Sequence, residues 1–409
     1  MGKIKFGVFG LWRGNAFVKV INTFKEEAVL VSVCDEREDR REAAREACEK
    51  AGNTEVKFFT DFDEFIESGI EVVVLCNHFH QHAPFAIRAM EKGIHVISEC
   101  TSASTIKECV ELCRAVERTG CKYMIAENYP FTNTKLEMAR LCKEGYLGRI
   151  QYAEGEYNHP SDENELRILT PYLYHWRAWM PRTYYVTHAI GPLMYMTDAM
   201  PVSVNARSIY SPQLQQFEDF RPNYDSVAMM FCMMDNGALY RFTGSTEMPS
   251  PSGYRVVGEQ GSVEMGRTVP AGHVYAHYNH WQVPEGLQIS QTYEPVKTPL
   301  MQQAENFGHG GGDYFIIYNM IQAIKNDTPY FFDVYKGAAM SAVAIYGWRS
   351  VLNDGATYHI PDFSNEEERK KVEDDDLTPF PKEDGSGINL PCSALDAKNK
   401  GYNVGPHLK

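Results

Sequence analysis

In the first part of the chain, short apolar runs alternate with amphipathic segments, an order that predicts a parallel sheet. Lys3–Phe9 and Glu71–Cys76 are apolar runs of strand length. Arg37–Ala51 and Thr105–Arg118 have helical periodicity, and Thr105 is a good N-cap residue. Residues 1–125 are therefore predicted to form an α/β domain with a doubly wound parallel sheet. The other strands predicted there are Ala28–Cys34, Lys57–Phe59, His95–Ser98 and Lys122–Ala126, and the other helices are Asn15–Glu26, Phe62–Ser68 and Pro84–Lys92.

The pattern changes in the second part of the chain. From Ile150 onward, strands rich in Tyr, Phe, Val and Met dominate, and Gly253–Glu264 is typical of a hairpin. Two helical segments follow, Asp313–Asn326, with Asp313 as its N-cap, and Lys336–Asn353. Residues 126–363 are thus predicted to form an α+β domain with a large, mostly antiparallel open sheet.

The last part of the chain is polar. A dense charge run occupies Glu366–Asp376, and no periodicity continues beyond Ser364. We expect residues 364–409 to form an acidic, extended tail that lies on this chain's surface or on a neighbouring subunit.

Composition narrows the class of protein. A chain of 409 residues exceeds one ordinary core, and 44% apolar with 23% charged residues is a globular profile. The net charge of −14, with no Lys/Arg stripe, argues against a nucleic-acid partner. No apolar run approaches the ~18 residues that span a bilayer, so we expect no membrane partner. The ten cysteines show no CxxC spacing, which favours free thiols and a cytoplasmic location.

The first strand leads into a candidate phosphate-binding turn. Gly10 is followed by Trp12, Arg13 and Gly14 and then by a predicted helix, whose N-terminus would offer free N–H groups to a pyrophosphate. Two glycines of a full G-x-G-x-x-G pattern are missing, so an ordinary strand-to-helix turn is the alternative. Asp35 decides between them, because an acid at the end of the second strand binds the adenosine ribose and repels a 2′-phosphate. We predict a Rossmann domain that binds NAD rather than NADP.

Histidines alternate in the loop after the fourth strand. The loop runs from Asn77 to His82, with His78 and His80 between them. Three such imidazoles can hold a metal, but no Asp or Glu lies close by in the sequence, and Cys76 belongs to the buried strand before the loop. Loops at the carboxyl ends of Rossmann strands bind ligands, so we assign this loop to the cofactor and predict no metal site.

Two further segments resemble a known family. His95–Glu99 is similar to the H-V-x-x-E-K-P segment of the Gfo/Idh/MocA oxidoreductases, and His82 falls where that family has a histidine. Gly145–Ile150 resembles its G-x-L-G-x-I entry into the second domain. The resemblance covers residues 3–363 and implies an NAD-dependent, sugar-acting enzyme with a Rossmann domain followed by an open-sheet domain.

One departure points to a branch of that family. Its dehydrogenases have a lysine after the glutamate, and that lysine helps the sugar hydroxyl lose its proton. Here the position is Cys100, and a thiol cannot replace an ammonium group as a charged donor. The lysine is also missing from the family 109 glycoside hydrolases, which this chain resembles in Glu127-Asn128, Trp176-Arg177, Tyr185–Pro192, Gly308–Asp313 and Pro361–Phe363.

The resemblance implies an oxidation–elimination cycle. Oxidation at C3 of the sugar acidifies the C2–H, a base removes that proton, the aglycone leaves C1, water adds and the hydride returns. The implied catalytic residues are Tyr185, His188 and His309. The expected cofactor contacts are Gly10, Trp12, Arg13, Gly14, Asp35, Asn77, His82, Glu99, Asn128, Trp176 and Arg177. The expected sugar contacts are Tyr157, His159, Arg182 and Asp313.

Two other functions stay open from the sequence. One is an NAD-dependent sugar or glycoside dehydrogenase that forms a 3-keto sugar, and the other is a cofactor-binding regulatory protein without turnover. Arg177 and Arg182 leave both neutral and anionic sugars open as substrates. Because a broad antiparallel sheet with helices on one face needs cover on the other, we expect a homodimer or homotetramer.

Overall fold

The structure is a computed structural model that describes residues 2–217, 221–249, 251–382 and 384–393. Its strands are β1 (Ile4–Phe9), β2 (Ala28–Cys34), β3 (Lys57–Phe59), β4 (Val72–Leu75), β5 (His95–Ser98), β6 (Tyr123–Ile125), β7 (Ile150–Asn158), β8 (Pro201–Tyr210), β9 (Asp225–Met234), β10 (Leu239–Ser245), β11 (Tyr254–Gly258), β12 (Gly261–Met265), β13 (Val274–Tyr278), β14 (Ser290–Tyr293) and β15 (Tyr358–His359). Its helices are α1 (Leu11–Ile21), α2 (Glu38–Lys50), α3 (Phe62–Ile66), α4 (His82–Glu91), α5 (Ile106–Thr119), α6 (Asn133–Lys143), α7 (Glu163–Leu169), α8 (Trp176–Trp179), α9 (Thr187–Thr197), α10 (Pro212–Gln215), α11 (Pro299–Ala304), α12 (Gly312–Asn326), α13 (Val334–Leu352) and α14 (Glu366–Lys370).

The chain divides into two compact units, each built from three stretches of sequence. The first unit contains residues 1–132, 298–338 and 363–373. The second contains residues 133–297, 339–362 and those from 374 onward. The sequence predicts two continuous domains with boundaries near residues 125 and 363. In the structure, however, α11 and α12 belong to the first unit. Interleaving of this kind comes from long-range contacts, which local periodicity does not report.

The first unit is built around a parallel sheet. Its described strands run in the order β3-β2-β1-β4-β5-β6, and each neighbouring pair is parallel. Every residue of β4 is buried, as expected for a strand covered on both faces. The chain enters α5 through a capping box, in which the Thr105 hydroxyl accepts from the Glu108 N–H and the Glu108 carboxylate accepts in return. The predicted doubly wound α/β domain is confirmed.

The second unit is built around a larger sheet. Within the described residues it has the order β14-β13-β12-β11-β7-β10-β9-β8-β15. Its pairs are antiparallel except the central pair of β7 and β10, which is parallel. The predicted hairpin within Gly253–Glu264 is present as β11 and β12. The prediction of an α+β domain with a mostly antiparallel open sheet is confirmed.

The described part of the predicted tail packs on this chain. In the first unit, the side chain of Arg369 is almost fully buried and forms a bidentate ion pair with Glu117. In the second unit, Asp375 pairs with Arg349, and the indole N–H of Trp348 donates to the Pro391 carbonyl over 2.8 Å. The charge run therefore forms specific pairs rather than a solvated extension, while residues 394–409 lie outside the described residues.

No described helix is both long enough and apolar enough to cross a lipid bilayer.

Candidate active site

In the first unit, the turn after β1 needs glycine for two separate reasons. Gly10 has a φ of +86°, and a Cβ there would lie 2.4 Å from the Cys76 carbonyl oxygen. Gly14, one turn into α1, leaves room for Val8, whose Cγ1 would meet a Cβ at 2.6 Å. These contacts bring the N-terminus of α1 against the carboxyl ends of β1 and β4, where dinucleotides bind in this architecture.

Asp35 lies at the same edge of the sheet, at the end of β2. Its carboxylate accepts the backbone N–H of Leu11, at the start of α1, over 2.6 Å and that of Arg37 over 2.9 Å. These bonds orient the acid beside the Gly10 turn, as the prediction of a ribose-binding acid requires. Trp12 is 47% exposed, and the Arg40 guanidinium lies 5.2 Å from its ring centroid.

The loop after β4 presents a side chain without partners. Both polar side-chain atoms of Asn77 are buried and lack a hydrogen bond among the described residues. His82, by contrast, is used inside the protein, with Nδ1 2.8 Å from the Thr101 carbonyl and Nε2 3.3 Å from the Asn77 carbonyl. Burial lowers the pKa of His82, so the ring is neutral and donates through one nitrogen. We reassign His82 from a cofactor contact to a residue that positions the loops after β4 and β5.

Four predicted site residues meet in one network around the buried carboxylate of Asp313, which we call the Asp313 cluster: Arg13, Asn128, His309 and Asp313. Arg13 binds both oxygens of the Asp313 carboxylate, over 2.6 and 3.0 Å, and its Nε lies 2.7 Å from Glu99 Oε1. Asn128 donates to the same carboxylate over 2.7 Å, and His309 Nδ1 lies 3.2 Å from it.

The Asp313 cluster changes two expected roles. The Asp313 side chain is fully buried and held on both oxygens, so we revise its role from contacting the sugar to positioning Arg13 and His309. It is also not the predicted N-cap, because α12 begins at Gly312. Burial by itself would raise the pKa of Asp313, but the His309 hydrogen bond and the Arg13 charge hold it below its usual range.

Cys100 occupies the position where the resembling dehydrogenases have lysine. Its Sγ lies 3.4 Å from Oε2 of Glu127, which is fully buried and whose Oε1 accepts the Tyr129 N–H over 3.2 Å. A buried carboxylate beside this thiol is a polar group that the expected site does not include. Glu127 is named in a matching segment but not among the expected site residues, because an acid at a strand end has no local signal that separates it from a structural residue.

The first unit fits a bound dinucleotide on observations independent of resemblance. The Gly10 turn accepts no side chain, and Gly10, as the N-cap residue, offers α1 no side-chain cap of its own. The Asn77 amide and Oδ1 of Asn128 are buried polar atoms without a partner among the described residues. Buried polar groups of this kind cost free energy unless a ligand satisfies them. Gly10, Asp35, Asn77 and Asn128 are thus the groups best placed to hold the cofactor.

The second unit has its own pocket, which we call the sheet pocket. It lies at the carboxyl ends of β7 and β10, and the empty space there, which is open to solvent, is about 450 Å³. Five predicted site residues line it: Tyr157, His159, Arg177, Arg182 and Tyr185.

The aromatic rings of Tyr157, Tyr185 and His188 form one cluster at this pocket. The Tyr157 ring centroid lies 4.9 Å from that of Tyr185 and 4.8 Å from that of His188, and the latter two are 5.5 Å apart. Tyr157 and His188 are buried, whereas Tyr185 is half-buried. The cluster brings a phenol and an imidazole that can transfer protons to the border of a pocket.

Two glycines let the segment from Arg182 to Ala189, which contains Tyr185 and His188, approach the sheet. A Cβ on Gly155 of β7 would lie 2.2 Å from the Ala189 carbonyl oxygen, and one on Gly244 of β10 would lie 2.8 Å from that of Arg182. The Tyr254 hydroxyl also donates to the His188 carbonyl over 2.6 Å. The backbone around the predicted catalytic residues is therefore held from the sheet side at three points.

Trp176 and Arg177 belong to this same neighbourhood. The Arg177 guanidinium lies 4.5 Å from the Trp176 ring centroid and 5.5 Å from that of Tyr185. Within the second unit, this places Arg177 with the expected sugar contacts. Arg221 also lines the sheet pocket but is absent from the expected site, since a single arginine in an irregular segment carries no local signal.

Comparison with known proteins agrees with this arrangement. Residues 4–127 match the NAD-binding Rossmann fold of the Gfo/Idh/MocA oxidoreductase family, and residues 136–264 match a C-terminal domain of that family. Residues 223–369 match the C-terminal domain of glycosyl hydrolase 109.

Individual relatives are distant but span most of the chain. An alpha-N-acetylgalactosaminidase of Tannerella forsythia is 25% identical, with 89% of this chain and 86% of that protein covered. An oxidoreductase domain protein of Kribbella flavida has a similar fold, with a TM-score of 0.72 at 17% identity and coverage of 88% of this chain and all of that chain. An aldose-aldose oxidoreductase of Caulobacter crescentus aligns with a TM-score of 0.69 at 17% identity, over 87% of this chain and 99% of that chain.

The fold and the matched domains define an NAD-dependent enzyme of the glycosidase or dehydrogenase type. Its residues 4–127 and 136–264 are thus similar to the two domains of the Gfo/Idh/MocA oxidoreductases, and residues 223–369 to the C-terminal domain of glycosyl hydrolase 109. The predicted family and the predicted cofactor, NAD, are both confirmed.

Proposed function

We propose that this protein is an NAD-dependent glycoside hydrolase that cleaves a glycosidic bond by oxidation at C3, deprotonation at C2, elimination, addition of water and re-reduction. The observation that carries the proposal is the cluster of Tyr157, Tyr185 and His188 at the sheet pocket. Bound NAD would supply a hydride acceptor and, later, a hydride donor for C3. The side chains of the sheet pocket would then have to bind the sugar and move protons.

The proton transfers fall to Tyr185 and His188. A ketone at C3 makes the C2–H acidic enough for a side-chain base, and imidazole and phenol groups both serve in that role. The departing oxygen at C1 needs a proton, which the second group of the pair can deliver. Tyr157 packs against both rings and holds them in place from β7.

In the first unit, the residues proposed to hold the cofactor lie at the carboxyl ends of the strands, where their backbone or side chains can hydrogen-bond to a ligand. Gly10 and the start of α1 would receive the pyrophosphate, and Asp35 the adenosine ribose. Asn77 and Asn128 would donate or accept through amide atoms that lack partners among the described residues. Trp12, with its exposed indole, would cover the adenine end.

A sugar dehydrogenase is the second candidate, and Cys100 weighs against it. Net oxidation of a hydroxyl requires a base that takes its proton while the hydride leaves, and the resembling dehydrogenases use a lysine there. The thiol of Cys100 lies beside the buried Glu127 and offers no cation. In the hydrolase cycle the proton lost from the C3 hydroxyl and the hydride are both returned on re-reduction, so no group has to carry a net proton away from the site.

The test measures NADH absorbance and product release together over a panel of glycosides, with and without added NAD. A hydrolase releases sugar without accumulating NADH, a dehydrogenase accumulates NADH, and a regulatory protein does neither. In heavy water the hydrolase should place deuterium at C2 of the released sugar. Released sugar without deuterium at C2, at full activity, would refute the elimination step.

A matched pair of variants assigns that step to the pocket. Tyr185→Phe should lower exchange and turnover while leaving NAD binding unchanged, because only the phenolic oxygen is lost. Tyr275→Phe, which removes a hydroxyl on β13 of the same sheet, should change neither. Equal activities of the two variants would exclude Tyr185 from the proton transfers.

A further inference from the structure

The sheet pocket contains an unusual concentration of positive charge. Arg177, Arg182 and Arg221 all line it. Arg182 is 5% exposed and Arg221 is 1% exposed, so these two guanidinium groups are removed from water. Arginine is rarely buried in proteins unless an anion compensates its charge.

Among the described residues, no carboxylate forms an ion pair with any of these three arginines. Elsewhere in the same unit, partly or fully buried arginines are paired: Arg267 with Glu154 and Glu156, and Arg349 with Asp375.

The donors of these guanidinium groups are also incompletely used. Nε of Arg177, Nε of Arg182 and Nη2 of Arg221 are buried and have no acceptor among the described residues. Arg221 donates from Nε to the Asn223 carbonyl over 3.1 Å. These arginine N–H groups at the wall of the sheet pocket can therefore donate hydrogen bonds to a ligand.

The electrostatics of Arg221 show the same deficit. The pKa of Arg221 is lowered to about 10, mainly by burial and in part by the nearby charge of Arg177, while Cys392, Glu247 and Asp225 only partly oppose this. A cation in such surroundings is destabilised until an anion enters. Leaving a buried charge unpaired usually costs several kcal/mol, so a compensating ligand should bind with a large gain.

We propose that Arg182 and Arg221, with Arg177, bind an oxyanion on the substrate, so that the enzyme acts on glycosides of an acidic sugar carrying a carboxylate or a sulfate ester. This inference rests on the proposed function, because Tyr185 lines the same pocket as the three arginines. The guanidinium fork matches the paired oxygens of both groups. The Ser161 and Thr246 side chains line the pocket as well and supply neutral hydroxyl groups.

The binding test needs no turnover. Dissociation constants are measured by calorimetry in the presence of NAD for methyl glucuronide, methyl galacturonide and a sulfate ester of methyl galactoside. The neutral methyl glucoside and methyl galactoside are the references, and inorganic sulfate alone is a further arm. We expect at least one acidic glycoside to bind about 10- to 100-fold more tightly than its neutral counterpart, as charged hydrogen bonds allow. The uronides and the sulfate ester distinguish the two sources of the oxyanion.

Variants assign that preference to the arginines. Arg182→Gln and Arg221→Gln should each remove most of the preference for the acidic glycoside, measured as the ratio of the dissociation constants of the neutral and the acidic glycoside. The control is Arg149→Gln, which removes an exposed arginine paired with Glu259 in the same unit and should keep the preference. Arg221→Gln should not lower the melting temperature of the ligand-free protein, since it removes an unpaired buried charge.

Two results would overturn the inference. One is a wild-type protein that binds neutral and acidic glycosides equally, or binds inorganic sulfate as tightly as any acidic glycoside. The other is retention of the preference in both Arg182→Gln and Arg221→Gln. Failure of the proposed function looks different, because an enzyme that is only a dehydrogenase would still bind the acidic glycoside while accumulating NADH.

Discussion

Replacement of Asp313 by asparagine tests whether the Asp313 cluster holds the first unit together. The substitution keeps the side-chain size but removes the charge that Arg13 contacts with two nitrogen atoms. Breaking a buried ion pair costs ~3–5 kcal/mol. We expect a loss of ~3 kcal/mol in the free energy of unfolding, at the lower end of that range, because Arg13 keeps its contact with Glu99 and is itself partly exposed. For a unit of this size that corresponds to ~6–12 °C in melting temperature.

The effect of pH has a definite sign. The folded-state pKa of Asp313 is depressed by its hydrogen bond from His309 and by the Arg13 charge, which outweigh the raising effect of burial. Its contribution to stability is therefore fully present above the unfolded pKa of ~3.9 and is lost as the pH falls through the folded pKa. The difference in melting temperature between wild type and Asp313→Asn should shrink as the pH is lowered from ~6 to ~3.

Scanning calorimetry over that pH range measures both quantities. Asp327→Asn is the control, because Asp327 pairs with Lys122 in the same unit but has a 93% exposed side chain. Exposed pairs contribute ~0–1 kcal/mol, so this control should melt within ~4 °C of the wild type. An Asp313→Asn protein that melts with the control, or a difference that grows toward acid pH, would refute the reasoning.

Three further predictions concern the cofactor, the sheet and assembly. Asp35→Ala should reduce the preference for NAD over NADP, measured by fluorescence titration of both cofactors. Asp39→Ala, which removes an exposed acid, should leave that preference unchanged, and tighter binding of NADP than of NAD by the wild type would contradict the prediction. Gly155→Ala should displace the start of α9, because its Cβ would lie 2.2 Å from the Ala189 carbonyl oxygen, and we expect a lower turnover and a lower melting temperature. Gly2→Ala, where the added Cβ meets no other atom, should change neither quantity. Phe231, Met233 and Leu239 are exposed on one face of β9 and β10, so we expect a dimer or tetramer that forms through this face. Light scattering should give the mass of an oligomer, and Met233→Asp should weaken it. A wild-type mass near 46.5 kDa, that of the monomer, would contradict the prediction.

Much of the fold follows from local sequence. The apolar runs of β1 and β4 and the capping box at Thr105 predict their elements because each depends on neighbouring residues alone. The hairpin of β11 and β12 is predictable for the same reason. Gly10 and Asp35 also identify the cofactor edge, since a doubly wound sheet places the ends of β1 and β2 side by side.

The sequence identifies candidate residues for the site but not what each one contacts. Asp313 is expected at the sugar, yet its buried carboxylate contacts Arg13 and Asn128, which come from distant parts of the chain, as well as the neighbouring His309. His82 lies in the predicted loop, but its ring nitrogens face two backbone carbonyls. Such roles depend on burial and on the direction of side chains, which no local pattern encodes.

The charge of the sheet pocket was decided by tertiary structure alone. In the sequence, Arg182 and Arg221 are two of many arginines in an acidic protein. In the folded protein Arg182 and Arg221 are both buried at the wall of one pocket. Neither is paired with a carboxylate among the described residues, and each has a buried N–H group without an acceptor there. The sequence by itself determined the order of strands and helices, the family and the cofactor, because these follow from periodicity and short motifs. The environment of each charge was decided by long-range packing, because burial and pairing depend on residues far apart in the chain.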